Sequence, residues 1–266
     1  VNLVLYGDDD TCIDIDGNIY ETVQIGDQLW IKENLMVTRY NNGNLIPTGH
    51  SNDDWINLDL TATGAYSVYE VIDEENNDCG DDCSEVYGNL YNWYAVNDER
   101  GLCPEGFHVP SDHEYQILEI YLGMDEEEAN SPLWRGTDEG GKLKEVGYQH
   151  WLYPNAGATN VTGFTLLGGG QRNRVGTYDA INIYNYSWTS TDCNSWNGES
   201  PGCMDTDACN YDEEVTVDDG SCVYTFMCYD SDECQAWYRG ITYAGSSIIR
   251  QEQDRVSGYS VRCVEN

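Results

Sequence analysis

Eleven cysteines in 266 residues constrain this chain more than any other feature. Thiols at that density persist as disulfides in an oxidising compartment, whereas a reducing cytosol keeps them free or commits them to metals. A cytosolic zinc protein would carry CxxC pairs, and the chain has none. Its nearest approach is Cys79-Gly80-Asp81-Asp82-Cys83, where two carboxylates would crowd a soft thiolate site. Cys79 and Cys83 are instead close enough to bridge each other. Six more, Cys193, Cys203, Cys209, Cys222, Cys228 and Cys234, crowd into residues 193–234. Their number is even, so they can form a closed set of bridges, and a segment that small depends on such staples because it has no core of its own.

Charge narrows the partners. Asp and Glu number 48 against 12 Lys and Arg, a net charge of −36. Nucleic acids and anionic headgroups are bound by displacing counterions with Lys and Arg clusters, so neither partner is expected. The acidity has two readings, a solvated anionic coat and carboxylates gathered for calcium. The best calcium candidates are Asp205, Asp207, Asp212, Asp218 and Asp219, on a short Cys-bounded loop; the bland reading is a solvated acidic loop. Asp14, Asp16 and Asn18 have calcium-loop spacing but no glutamate at the twelfth position, so Asp16-Gly17 reads as a hairpin turn. No apolar run approaches the ~20 residues of a membrane span, so no membrane insertion is expected. With no leader at its start, the chain reads as the processed form of a secreted protein.

Local patterns indicate an α+β fold. Residues 1–6 form a short apolar strand candidate, and alternation over Ile19–Ile25 followed by Gly26-Asp27 marks a second strand and turn. Residues 41–89 read as long loops. Ser111 with Glu114 three positions on is a capping box, and Gly123 ends the helix it starts. Tyr115, Leu118 and Leu122 should line its buried face, with Asp112, Glu114 and Glu119 in water. A second helical piece is expected near Glu126–Ala129. From Gly163 onward, short glycine-punctuated strands return. Tyr and Trp, 21 and 8 against 3 Phe, suit half-exposed sheets, interfaces and sugar-stacking surfaces.

Catalytic signatures do not emerge. His50, His108, His113 and His150 form no HExxH, no GxSxG elbow occurs, and Gly168-Gly169-Gly170 lacks the Lys-Ser/Thr of a phosphate loop. Ser111, between two histidines, is explained by its capping role. The chain is expected not to be an enzyme, and no organic cofactor is expected.

Several phrases, in order, resemble the Fibrobacter succinogenes major paralogous (FISUMP) domain family. They are DIDGNIYETVQIGDQLWIKENL (14–35), YGNLYNWYAV (87–96), LCPEGFHVPSDHEY (102–115), GGKLKEVG (140–147), HW with PNAGATNVTGFTLLGGGQR (150–172), SWTST (187–191), AWYR (236–239) and GYSVRCV (258–264). The last three are also similar to the ends of C-type-lectin-like folds. The resemblance implies a bacterial secreted or surface protein, with a C-type-lectin-like α+β domain over residues 12–266, after an N-terminal extension or strand (1–11). A Cys-rich insertion at about 192–235 departs from the family pattern, and GCMDTDACNYDEEVTVDDGSC (202–222) within it resembles a repeat of marine bacterial surface proteins. The fold likeness also implies a Cys103–Cys263 bridge. With Cys79 and Cys83 paired, Cys12 is left free or intermolecular, although other pairings stay open.

A lectin-like fold would make Trp188, Thr189, Trp196, Trp237, Tyr238 and Arg239 its ligand rim; the alternative places Trp188 and Trp237 in the core. Two functions remain. One is an adhesive module that binds a glycan or surface protein, with calcium as the expected ion. The other is a subunit of an extracellular fibre assembled from copies of itself, residues 1–6 adding to a neighbour's sheet and Cys12 locking the joint.

Overall fold

A computed structural model describes residues 11–70, 79, 82–192 and 235–266, and the backbone alone of 201–202 and 217–218. Residues 1–6 and the six insertion cysteines lie outside the described residues. The chain forms two compact units, one of residues 1–191 with 236–266 and one of residues 192–235. In the second, the short strands Pro201–Gly202 and Val217–Asp218 pair in parallel.

The first unit is α+β, with two main sheets. Sheet one has the order Thr11–Ile13, Ile19–Ile25, Gln28–Ile31, Val264–Glu265, Phe107–His108, and its pairings are antiparallel. Its first turn is built as the sequence indicates. Asp14 Oδ1 accepts the backbone N–H groups of Asp16 and Asn18, and Gly17 takes φ +89°, a left-handed conformation that favours glycine. Asp14 Oδ2 accepts from Asn18 Nδ2 at 2.8 Å and the Tyr20 hydroxyl at 2.7 Å, so this carboxylate serves the hairpin.

Sheet two has the order Leu133–Arg135, Ile248–Gln253, Ala236–Thr242, Tyr184–Asp192, Gly169–Arg172, Tyr178–Ile181. The pairing of Asn185 with Gly170 is parallel, in a sheet whose other registered pairs run antiparallel. The stretch 258–263 ties the domain together. Gly258 bridges Arg172, Tyr259 bridges Tyr91, Ser260 bridges Ser187, and the Val261 and Cys263 carbonyls accept the N–H groups of Leu35 and Ile31. The Cys103–Cys263 disulfide fastens it covalently, and Cys79–Cys83 closes a small loop.

The helix Asp112–Tyr121 starts at the capping box on Ser111, and Gly123 follows it with φ +115°. Tyr115, Leu118 and Leu122 pack with Trp30 and Val264 of sheet one and with Ile241 and Ile248 of sheet two. Burying each such side chain contributes roughly 1.5–3 kcal/mol. Asp112 and Glu119 depart from expectation, at 7% and 1% exposed. Helical spacing puts residues 112, 115, 119 and 122 on one face, and charge type alone had argued for water. Three arginines on sheet two make their burial tolerable. A short helix, Glu126–Asn130, follows with Asp125 as its cap. The described residues of 41–89 are largely irregular, with short helical turns such as Asn52–Asn57 and Ser84–Tyr87.

Candidate ligand surface

Both faces of the central strands of sheet two are covered, so the adjacent pairs Trp188–Thr189 and Tyr238–Arg239 are all buried. Trp188 is fully enclosed: its ring centroid lies 4.4 Å from that of Tyr259, and its indole N–H donates to the Tyr91 carbonyl at 2.9 Å. Tyr238 packs into the same aromatic cluster, 5.1 Å from Tyr259. Thr189 is buried, with its hydroxyl donating to the Trp237 carbonyl at 3.0 Å. Trp237 is half-buried, and the Arg250 guanidinium lies 3.9 Å from its ring centroid. Trp196 lies outside the described residues. Trp188, Thr189, Tyr238 and Arg239 therefore have structural partners inside the domain, and Trp188 is a core residue.

Arg239 belongs to a buried charge network between helix and sheet. Its Nη1 donates to Asp112 Oδ1 at 2.7 Å and its Nε to Glu119 Oε1 at 2.8 Å. Arg250 Nη2 reaches Asp112 Oδ2 at 2.8 Å, and Arg135 Nη2 reaches Glu119 Oε2 at 2.5 Å. Remaining guanidinium N–H groups are taken by carbonyls, Arg135 on Ala129 and Arg250 on Asn130. Buried charges are stable only when paired and hydrogen-bonded in this way. Burial alone would raise the Asp112 carboxyl, but Arg239 and Arg250 outweigh it and hold the group at about 2. For Arg135 burial wins over Glu119, and its pKa falls to about 10. A neighbouring cavity of about 20 Å³, lined by Tyr115, Leu118, Glu119 and Arg239, has room for about one water and not for a sugar.

Three of the four histidine rings make carboxylate or amide contacts: His108 with Glu114 and Asn266, His113 with Gln116, and His150 with Glu145. Each of the three holds local structure. His50 lies edge-on to Trp55, its buried Nε2 unpartnered among the described residues. Cys12 is a free thiol, 9% exposed within the core, and burial, then the charges of Glu33 and Asp14, push its pKa up to about 12. Of the calcium candidates, Asp205, Asp207, Asp212 and Asp219 lie outside the described residues, and Asp218 falls in the backbone-only strand Val217–Asp218. Among the described residues, no group of three His, Cys, Asp or Glu side chains could hold a metal.

Among the described residues, a pair of exposed aromatic rings lies elsewhere, on the loop that follows Lys144. Residues 145–157 form a loop whose base is fixed by buried polar groups. Lys144, itself buried, directs its ammonium at the carbonyls of Ala156, Thr242 and Gly245 at 2.8, 3.0 and 2.8 Å, and burial lowers its pKa to about 8. Asn155 Nδ2 donates to the carbonyls of Glu145 and Gly147, both at 2.8 Å. The buried Trp151 donates its indole N–H to Leu166 at 2.9 Å, and the Leu152 N–H donates to Asn182 at 2.8 Å. On this base Tyr148 and Tyr153 stand 62% and 76% exposed, their centroids 5.4 Å apart and their planes inclined by 56°. Leu152 beside them is also exposed. Sequence reasoning missed this pair. The available signal is the cluster Tyr148-x-x-Trp151-x-Tyr153, but spacing does not reveal which ring turns inward.

The fold defines an α+β protein with mainly antiparallel sheets, two disulfides among the described residues and aromatic loops, and no helix of the described residues is long and apolar enough to cross a membrane. The chain belongs to the Fibrobacter succinogenes major domain family, whose model matches residues 23–265. No curated protein and no solved structure matches it.

Proposed function

We propose that the protein is a non-catalytic extracellular bacterial surface module of C-type-lectin-like build, binding a glycan or protein ligand through its loops. The observation that carries this reading is the display of two largely exposed aromatic rings on a loop pinned by buried hydrogen bonds. A preorganised surface of this kind loses little conformational freedom on binding. Support also comes from His108, His113, His150 and the buried carboxylates Asp112 and Glu119, whose contacts serve structure. The cysteine-rich composition supports an oxidising, extracellular location. Calcium on Asp205, Asp207, Asp212, Asp218 and Asp219 is part of the proposal; an unchanged melting temperature on adding chelator would argue against a structural ion. The reading is tested by saturable binding of the intact chain to arrayed glycans and purified surface proteins. Absence of binding to both would remove it.

A second reading, a subunit of an extracellular fibre, is favoured by one observation. Ile13, Ile15 and Ile19 are exposed on the hairpin at the edge of sheet one. Edges of that kind pair with other chains unless something covers them. Native mass by light scattering separates the two: a monomer of 30.0 kDa supports the binding module, a large assembly the fibre.

A further inference from the structure

The geometry points to the surface around Tyr148 and Tyr153 as a binding site for an uncharged polysaccharide. This rests on the binding-module reading and names its site and ligand class.

Three observations converge. The first is the ring pair itself, largely exposed and inclined by 56°, so that neither ring covers the other face to face. Two such faces form a corner against which the C–H face of a pyranose ring can pack, and each phenol hydroxyl can donate or accept a hydrogen bond beside it. The second is rigidity. The loop's backbone is held from below by Lys144, Asn155 and Trp151, so the corner exists before a ligand arrives.

The third is charge. In a chain of which 23% is charged, residues 146–171 contain no Asp, Glu, Lys or Arg. The flanking Glu145 is turned to His150, both carboxylate oxygens lying 3.0 Å from the ring Nδ1. The exposed side chains of this stretch are uncharged: Val146, Tyr148, Leu152, Tyr153, Pro154 and Val161 are apolar or phenolic, and Gln149 and Thr159 carry neutral polar groups. A basic protein partner would need carboxylates, and this stretch supplies none. An acidic polysaccharide would meet a net charge of −36 with no cation in the stretch to offset it. The chemistry left is that of a neutral sugar chain, recognised by stacking and hydroxyl hydrogen bonds.

Affinity electrophoresis of the intact chain tests this, in native gels containing laminarin, xylan or galactomannan, with alginate as the acidic comparison. Wild type should be retarded by at least one of the neutral polymers and not by alginate. Tyr148→Ala and Tyr153→Ala should each weaken retardation about tenfold, as expected for losing one stacking face, with an unchanged near-UV spectrum and melting temperature. Tyr148→Phe should retain most of it, since the ring face remains. Retardation by a neutral polymer that survives both alanine variants would overturn the site while leaving the binding-module reading standing. Preference for alginate would overturn the ligand class, and no retardation by any neutral polymer would overturn the proposal. In that last case binding to a purified surface protein would still uphold the broader reading, so the two fail separately.

Discussion

Arg239 Nη1 meets Asp112 Oδ1 at 2.7 Å across 127 residues of sequence, and both side chains are almost wholly enclosed. The pair links the first turn of the long helix to the centre of sheet two. Glu119, Arg135 and Arg250 extend it, so that two carboxylates serve three guanidinium groups. The residue that the sequence offered as a ligand contact is thus a fastener between layers.

Breaking one side of this network leaves a charge buried without its partner. Asp112→Asn and Arg239→Met should each destabilise the fold by about 3–5 kcal/mol, read from urea unfolding. The double variant should cost clearly less than the sum, because the second change removes the stranded charge. Strict additivity would show that the two groups act independently.

Acid should act through the same carboxylate. Asp112 has a folded value near 2 against an ordinary 3.8, so its contribution is complete above about pH 4 and is lost as the pH falls toward 2. Its size is on the order of 2 kcal/mol. Stability measured from pH 5 to pH 2 should fall more steeply in wild type than in Asp112→Asn. Parallel curves would assign acid unfolding to other groups.

The two described disulfides should differ in weight. Cys103–Cys263 closes a loop with a sequence separation of 160, Cys79–Cys83 one of 4. In the chain-entropy account the long loop contributes up to about 5 kcal/mol and the short one about 2. Paired serine substitutions should therefore lower the melting temperature far more for the long loop. It also anchors the 258–263 stretch, whose backbone bonds reach both sheets.

Lys144 fastens the aromatic loop. Lys144→Met removes the donor to three carbonyls and should speed amide exchange in residues 145–156 and 242–245 before the rest of the domain opens. Uniform exchange across the domain would mean that Asn155, Trp151 and packing hold the loop without Lys144.

Cys12 should resist alkylation. Its thiol is buried with a pKa near 12, so little thiolate forms and reagent has poor access. Peptide mapping after iodoacetamide treatment should find Cys12 unmodified in native protein and labelled in urea. Rapid native labelling would place it at an accessible surface and revive a role in joining chains.

What the sequence determined by itself is local or compositional. The capping box at Ser111 and Glu114 and the Asp16-Gly17 turn are legible because their partners lie within a few residues. The rough alternation of Ile19–Ile25 and the family phrases are read in the same way. What only the tertiary structure decided is which side chains are covered. Asp112 and Glu119 looked solvated because nothing nearby in sequence offers them a cation; their arginines arrive from strands up to 138 residues away. Tyr238 looked like a rim residue and Trp188 could be read as rim or core; Tyr259, from the C-terminal stretch, packs against both. Tyr148 and Tyr153 differ from Trp151 only in which faces the interior. Burial depends on what packs against a residue, and that is set by long-range pairing, whereas caps and turns are set by short-range hydrogen bonds.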